Sequence, residues 1–467
     1  MSDRRPFRWA TTGARMLAGT LVATGFVVAV VTGVAVPWPT LTHEPVQVTA
    51  TPAPGATELA CSGSLLALGR DAAAAGAVSV AAPQEVTSGV RDGDPPLVET
   101  PLEGAVPDSV VAALRAEPDG RTRTDAAATG SSSISADDLN GYAASACRPP
   151  LMESWVVGGA TTTGSADILL IANPGDVPAT VELTVFETTG PVVPPGGRLV
   201  VAPGTQRALP IAGLALGEAS PVIRVSATGA PVTAALQASI TRTLLPGGVD
   251  LVGAIEAPEP FLAIPGISIV ETDGPAIDAA TFVRLLSPSA DATASVTLIP
   301  IGASPEGVEP VTVALTAGLP LDLDLGGLST GEYTAFVEAD APLVGAVWQT
   351  TGFAEGTDFA WYTPAPALAV PSLFATPAGP SPALAVVNPT DGDVEVTVDA
   401  IDGSSSTSVT IAAGRSARFS LRAQTVYTLD AGDAPVRAGV SLTGRGALAG
   451  FPVWSADTAA EPILVYP

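Results

Sequence analysis

Three stretches share one pattern: ADILLIANPG at residues 166–175, ATFVRLLSPS at 280–289 and PALAVVNPT at 382–390. Each is an apolar run that stops at a proline turn, which reads as a buried strand followed by a break. Working outward from Pro174, Pro288 and Pro389, a second strand-plus-glycine signal follows at Gly204 (RLVVAPG), Gly318 (VTVALTAG) and Gly414 (SVTIAAG), offset by 30, 30 and 25 residues. A third landmark ends at Gly229 (RVSATG), Asp340 (FVEAD) and Gly444 (GVSLTG), offset by 55, 52 and 55 residues. The first two copies also close alike, GVDL at 248–251 against GTDF at 356–359.

A period of about 106 residues is too long for a solenoid and matches one β-sandwich domain. Runs such as VELTVF at 181–186 and VEVTV at 394–398 have the composition of half-buried strands. With 48 Gly and 45 Pro in 467 residues, long helices are disfavoured after the N-terminus. The chain therefore reads as all-β, with tandem immunoglobulin-like sandwich modules at 154–258, 259–365 and 366–467. The alternative is a β-propeller, in which the same strands form blades around a channel.

The N-terminus differs. Arg4, Arg5, Arg8 and Arg15 precede an uncharged stretch over residues 16–36. Twenty-one helical residues reach about 30 Å, the thickness of a bilayer core. The flanking arginines place residues 1–15 in the cytoplasm and the rest outside, as a single-pass signal anchor. Cleavage at the small-x-small site Gly33-Val34-Ala35, giving a secreted protein, is the alternative. Residues 37–60 are Pro/Thr-rich and read as an extended spacer. Cys61 and Cys147 are the two cysteines, and in an oxidising compartment they form one disulfide that ties residues 61–153 to the first module. Within that region TDAAATGSSSISADD (124–138) offers little to bury and reads as loose.

The run CSGSLLALG from Cys61, the sequence CRPPLMESWVVGGATTTGSADILLIANPG from Cys147 and the repeats after it resemble an uncharacterised actinobacterial family of exported, membrane-anchored proteins, defined by a domain of unknown function. The resemblance covers most of the chain after Cys61. It implies a cell-envelope location and supplies no catalytic residues.

Composition narrows the chemistry. All 20 cationic residues are arginine, so Schiff-base and Ser-Lys chemistry have no lysine to use. The single histidine, His43, falls in the spacer, and no phosphate-binding loop, dinucleotide fingerprint or zinc spacing occurs, so no cofactor is expected. Removing four Arg and Asp3 from the totals leaves 16 Arg against 45 acidic residues after Val36, a net of −29. Nucleic acid is not an expected partner of such a surface. The acidic pairs Asp92/Asp94 and Asp391/Asp393 offer turn oxygens for calcium, and Asp322/Asp324 sit on a strand, but no EF-hand loop is present. The expected function is a non-enzymatic, membrane-tethered structural or interaction protein of the envelope. The alternative is a polysaccharide-binding module, and a hydrolase with paired carboxylates comes third.

The glycan reading rests on module two, where Trp348, Phe353, Phe359, Trp361 and Tyr362 place five of 22 aromatic residues within 15 positions. Alternation along a strand puts Phe359 and Trp361 on one face and Tyr362 on the other. At least one ring is therefore expected at the surface. Trp348, Trp361 and Tyr362 are the candidate platform for sugar rings, with Glu355 and Asp358 as hydroxyl acceptors. The competing expectation is that Phe359 and Trp361 fill the module interior opposite Trp348, with Tyr362 on the rim.

Overall fold

Each repeated landmark becomes a specific joint in the computed structural model, which describes residues 5–35, 48–50, 53–70, 73–74, 76–273, 280–368, 370–456 and 463–465. The chain divides into two bodies, Met1–Pro52 with Glu461–Pro467, and Ala53–Ala460. In the first, residues Arg5–Ala35 form one α-helix, and Val48–Ala50 pairs antiparallel with Ile463–Val465. Thr12–Ala35 is long and apolar enough to cross a membrane, and its side chains are exposed throughout. Thr20, Thr24 and Thr32 donate their hydroxyls to carbonyls four residues back, so the helix itself satisfies these three polar groups.

The body Ala53–Ala460 carries the three repeats. In module one the strands run Glu153–Val157, Ile168–Asn173, Ala179–Glu187, Arg198–Val201, Thr205–Pro210, Val222–Thr228, Thr233–Arg242 and Leu245–Gly253. The first, sixth, third and fourth form one antiparallel sheet, with the short strand Gly190–Val192 also paired to the third; the fifth, second, seventh and eighth form the other. Module three repeats this order from Ser372–Ala375 to Ala447–Pro452. Module two repeats it from Glu259–Ile269 to Phe359–Tyr362, with its sixth and seventh strands fused into the 20-residue strand Gly331–Thr350, which serves both sheets. In module one, Leu169 and Ile171 of one sheet share a buried cluster with Val181 and Leu183 of the other, the face-to-face packing of a sandwich. The strand order is not the immunoglobulin one, because the first strand pairs with the sixth rather than the second.

The proline landmark closes the second strand. Asn173 is fully buried, and its Nδ2 donates to Val177 O (2.8 Å) and Val201 O (3.1 Å). Asn388 does the same to Gly392 O and Ile411 O. The glycine landmark lies beside it, since Gly204 N donates to Asn173 O and Gly318 N to Ser287 O. Gly204, Gly318 and Gly414 all turn at φ near +70° (65°, 73° and 67°), a conformation that a side chain would strain. Residues 30 apart in sequence are thus one joint in space.

The modules do not each close a separate core. Leu286, Val344, Ala346, Trp348, Phe359 and Trp361 of module two belong to the same buried cluster as module one. Residues before module one complete the assembly. Glu85–Val90, Ala126–Ser135 and Asn140–Ala146 form a three-stranded sheet, while Val98–Glu103, Val110–Ala116 and Thr57–Ala60 extend module one's second sheet. The last four residues of the stretch read as a spacer, 57–60, are therefore a strand. Asn140–Ala146 lies against the last strands of modules one and three, and those two lie against the last strand of module two, so four strands close a ring. This shares with a propeller the convergence of inner strands, although each module keeps two sheets. The Ser/Ala-rich segment expected to be loose supplies the central strand Ala126–Ser135, with Ala127 to Ser132 buried. Small side chains let this sheet pack closely against module three: a Cβ at Gly89 would meet Val426 at 3.2 Å, and Ala127 packs on Leu373, Ala375 and Val426.

Candidate functional site

The aromatic platform expected in module two is internal. Trp348, Trp361 and Tyr362 are 5%, 4% and 1% exposed. Trp348 stacks on Phe282 with centroids 5.1 Å apart, and Trp361 meets the same ring edge-on at 5.4 Å. Alternation along Phe359–Tyr362 holds, but it does not bring a ring to the surface because both faces of this sheet are covered. Phe359 and Trp361 point into the cluster shared with module one, and Tyr362 points into module two's own core beside Leu448 of module three. The rings thus fill interior space rather than presenting a platform.

Asp358, expected beside that platform, is instead the centre of the ring. It is fully buried at the start of strand Phe359–Tyr362. Its Oδ2 accepts from Tyr142 N (2.9 Å) and Leu448 N (3.2 Å), and its Oδ1 from Val249 N (3.1 Å). One carboxyl therefore binds the backbones of the other three inner strands. Burial outweighs these donors and raises its pKa well above the usual carboxylate range. Glycine is required around it, since a Cβ at Gly141 or Gly248 would lie 2.6 Å from Oδ1. Asp250, the matching residue of GVDL, accepts from Trp361 N (2.7 Å) and Leu251 N (2.8 Å), and burial pushes it up to about 7. The GVDL/GTDF match is the sequence signal for this pair, with Asp250 inside the strand Leu245–Gly253 and Asp358 directly before Phe359–Tyr362.

Arg284 locks modules one and two. Its Nε and Nη2 bind Asp322 at 2.8 and 3.0 Å, and Nη1 and Nη2 donate to the carbonyls of Gly159, Pro221 and Ala219. Its guanidinium carbon lies 4.9 Å from the Trp361 ring centroid. Asp322, expected as half of an acidic pair, is thus half of an ion pair. Asp391 and Asp393 lie on an exposed turn, where Asp393 accepts from Ala413 N. Among the described residues no group of three or more His, Cys, Asp or Glu is placed to hold a metal ion. His43 lies outside the described residues.

Cys61 and Cys147 form a disulfide, joining the end of strand Thr57–Ala60 to the end of Asn140–Ala146. Directly after it the chain enters a cleft of about 610 Å³ where residues 56–59, 123–128, 146–147 and 149–151 face Glu256 of module one and residues 373–375 and 451–456 of module three. Asp125 on its wall is 3.0 Å from Arg91, accepts from Leu373 N, and is raised by burial to about 6. Beneath the wall residue Trp454 lies Arg148, 7% exposed, its guanidinium carbon 3.3 Å from the indole centroid. Neither Nη1 nor Nη2 of Arg148, nor Nε1 of Trp454, has a hydrogen-bond partner. Burial lowers the Arg148 pKa to about 9. Arg148 and Trp454 were not singled out in the sequence, where neither stands in a repeated motif.

Fold and site together define an all-β, disulfide-containing protein with one N-terminal apolar helix. The chain belongs to the Family of unknown function (DUF5719), whose model matches residues 103–422, from the strand Val98–Glu103 to just past the fifth strand of module three. No curated protein matches the chain.

Proposed function

We propose that the protein is a membrane-tethered, non-enzymatic component of the cell envelope, whose ring of β-modules is a rigid extracytoplasmic body for interaction with other envelope components. The observation that carries this reading is the helix Arg5–Ala35, apolar and exposed from Thr12 onward and followed by a separate, disulfide-bonded body. An apolar surface of that length is stable in a bilayer and not in water. The disulfide suits an oxidising compartment, and the acid excess keeps such a body soluble and apart from anionic neighbours. With Trp348, Trp361 and Tyr362 in the interior, interaction with protein partners is favoured over sugar stacking.

A site-specific protease sequence placed within residues 38–47 tests the topology. Protease added to intact spheroplasts should release the body and leave the helix in the membrane fraction. Cleavage that requires lysis would reverse the assignment.

A further inference from the structure

We propose that a small pocket between the disulfide and the second sheet of module one binds a single halide-sized anion, held by the guanidinium of Arg148. The inference does not depend on membrane topology. Arg148 follows Cys147 directly, and its backbone exchanges two hydrogen bonds with Ala60, at 2.9 and 3.0 Å. Its side chain is fixed as well. The guanidinium carbon lies 3.3 Å from the Trp454 ring centroid, and a Cβ added at Gly253 would meet Nη1 at 2.9 Å. The residue is 7% exposed, and neither Nη1 nor Nη2 has an acceptor among the described residues. A buried cation without a counter-charge is a costly arrangement.

The pocket that Arg148 lines is separate from the larger cleft and measures about 20 Å³. Its walls include Cys61 and Ala146 beside the disulfide, Gln206 on the fifth strand of module one, and Ala235 and Gly253 on the seventh and eighth. None of its lining residues is acidic, whereas Glu58, Asp125 and Glu256 line the cleft. Gln206 Nε2 already donates to Ser62 O at 2.8 Å and Thr233 Oγ1 to Ala172 O at 3.5 Å, so the Arg148 fork is the charged donor of the pocket. Charge and size then select the ligand. Burial lowers Arg148 to about 9, which leaves it a cation at neutral pH, and Glu256, whose charge acts in the opposite sense, is exposed and outside the pocket. A water accepts a hydrogen bond but leaves the charge uncompensated, whereas an anion does both. One water needs roughly 10–15 Å³ of such space, so about 20 Å³ takes a monoatomic ion and excludes a carboxylate or phosphate. Chloride and bromide are of that class. Bound there, the ion joins the disulfide segment to module one, and the stability of the body depends on its concentration.

The full chain in nonionic detergent micelles, exchanged into gluconate and returned to chloride or bromide at constant ionic strength, tests the proposal. The urea midpoint should rise saturably with either halide, and the chloride NMR line should show a broadening that bromide displaces. Arg148→Met should weaken halide binding at least about tenfold, the size expected for one charge-assisted contact. Gly253→Ala keeps every charge but narrows the pocket, so it should weaken binding too, bromide more than chloride; it serves as the test where Arg148→Met does not fold. A midpoint indifferent to the anion present, line broadening that bromide does not displace, or halide affinity unchanged in the folded variants would each overturn the assignment.

Discussion

Replacing Asp358 tests whether one carboxyl holds the ring together. Asp358→Ala orphans the amide N–H groups of Tyr142, Val249 and Leu448, which belong to three different strands and lie away from water. An unsatisfied buried donor costs about 1–3 kcal/mol, and partial hydration of the vacated space returns some of it, so the loss should be about 3–6 kcal/mol. Asp358→Asn has the same shape. Its oxygen, placed where Oδ2 was, still serves Tyr142 and Leu448, while its amide meets the Val249 N–H donor to donor. One orphan in place of three sets the expected loss at about 1–3 kcal/mol. Urea unfolding of the body from residue 53 onward, followed by tryptophan fluorescence, should rank the forms Asp over Asn over Ala. The Ala variant should also unfold in a broader transition, because the strands it uncouples belong to separate modules. An Asn variant as unstable as Ala, or both within about 1 kcal/mol of the parent, which is the scale of an ordinary surface change, would refute the reasoning.

Removing the disulfide with Cys61→Ser and Cys147→Ser should cost about 4–5 kcal/mol, the loop-closure value for a separation of 86 residues; parent and variant with equal urea midpoints would contradict this. Asp125 is raised to about 6 and Asp167 and Asp250 to about 7, against about 3.9 for an unfolded aspartate. Between about pH 4 and 7 the folded body therefore binds more protons than the unfolded chain, so its stability is highest at the acid end and falls as pH rises through 6 and 7. The urea midpoint should be higher at pH 5 than at pH 8, and the opposite order would sink the assignment. Arg284→Met leaves Asp322 with only the Ser220 hydroxyl and removes the Arg284 donors from three carbonyls of module one, with an expected loss of about 3–5 kcal/mol; thermal unfolding within a degree of the parent would show the lock to be dispensable. Residues 366–467 expressed alone lack Tyr142 and Ala144, which complete module three's core, and should show weak near-ultraviolet circular dichroism and no sharp transition; a cooperative unfolding curve would show that this module stands alone.

The features legible in the sequence were those whose partners lie close along the chain. Asn173 and Gly204 meet 31 residues apart, inside one repeat, and the repeat displayed the joint three times. The apolar helix and the pairing of two cysteines needed only composition and compartment. The ring was not legible, because its contacts join residues such as Tyr142 and Asp358, 216 apart, and each partner occurs once. The same long-range closure explains the aromatic residues. Alternation on Phe359–Tyr362 was read correctly, yet exposure did not follow, because periodicity reports which residues share a face and not whether a distant module covers that face. Burial of a second face also explains why Asp250 sits within a strand and Asp358 directly before one: with no solvent on either side, the inner strands' free amides need an internal acceptor, and a carboxyl at the third position of GVDL and GTDF supplies it. By strand register Leu448 of module three is equivalent to Val249 of module one, and both donate their amides to Asp358. One acceptor is thereby shared among strands that a regular sheet would pair, and Asp358 ties three similar modules and a fourth strand into one body.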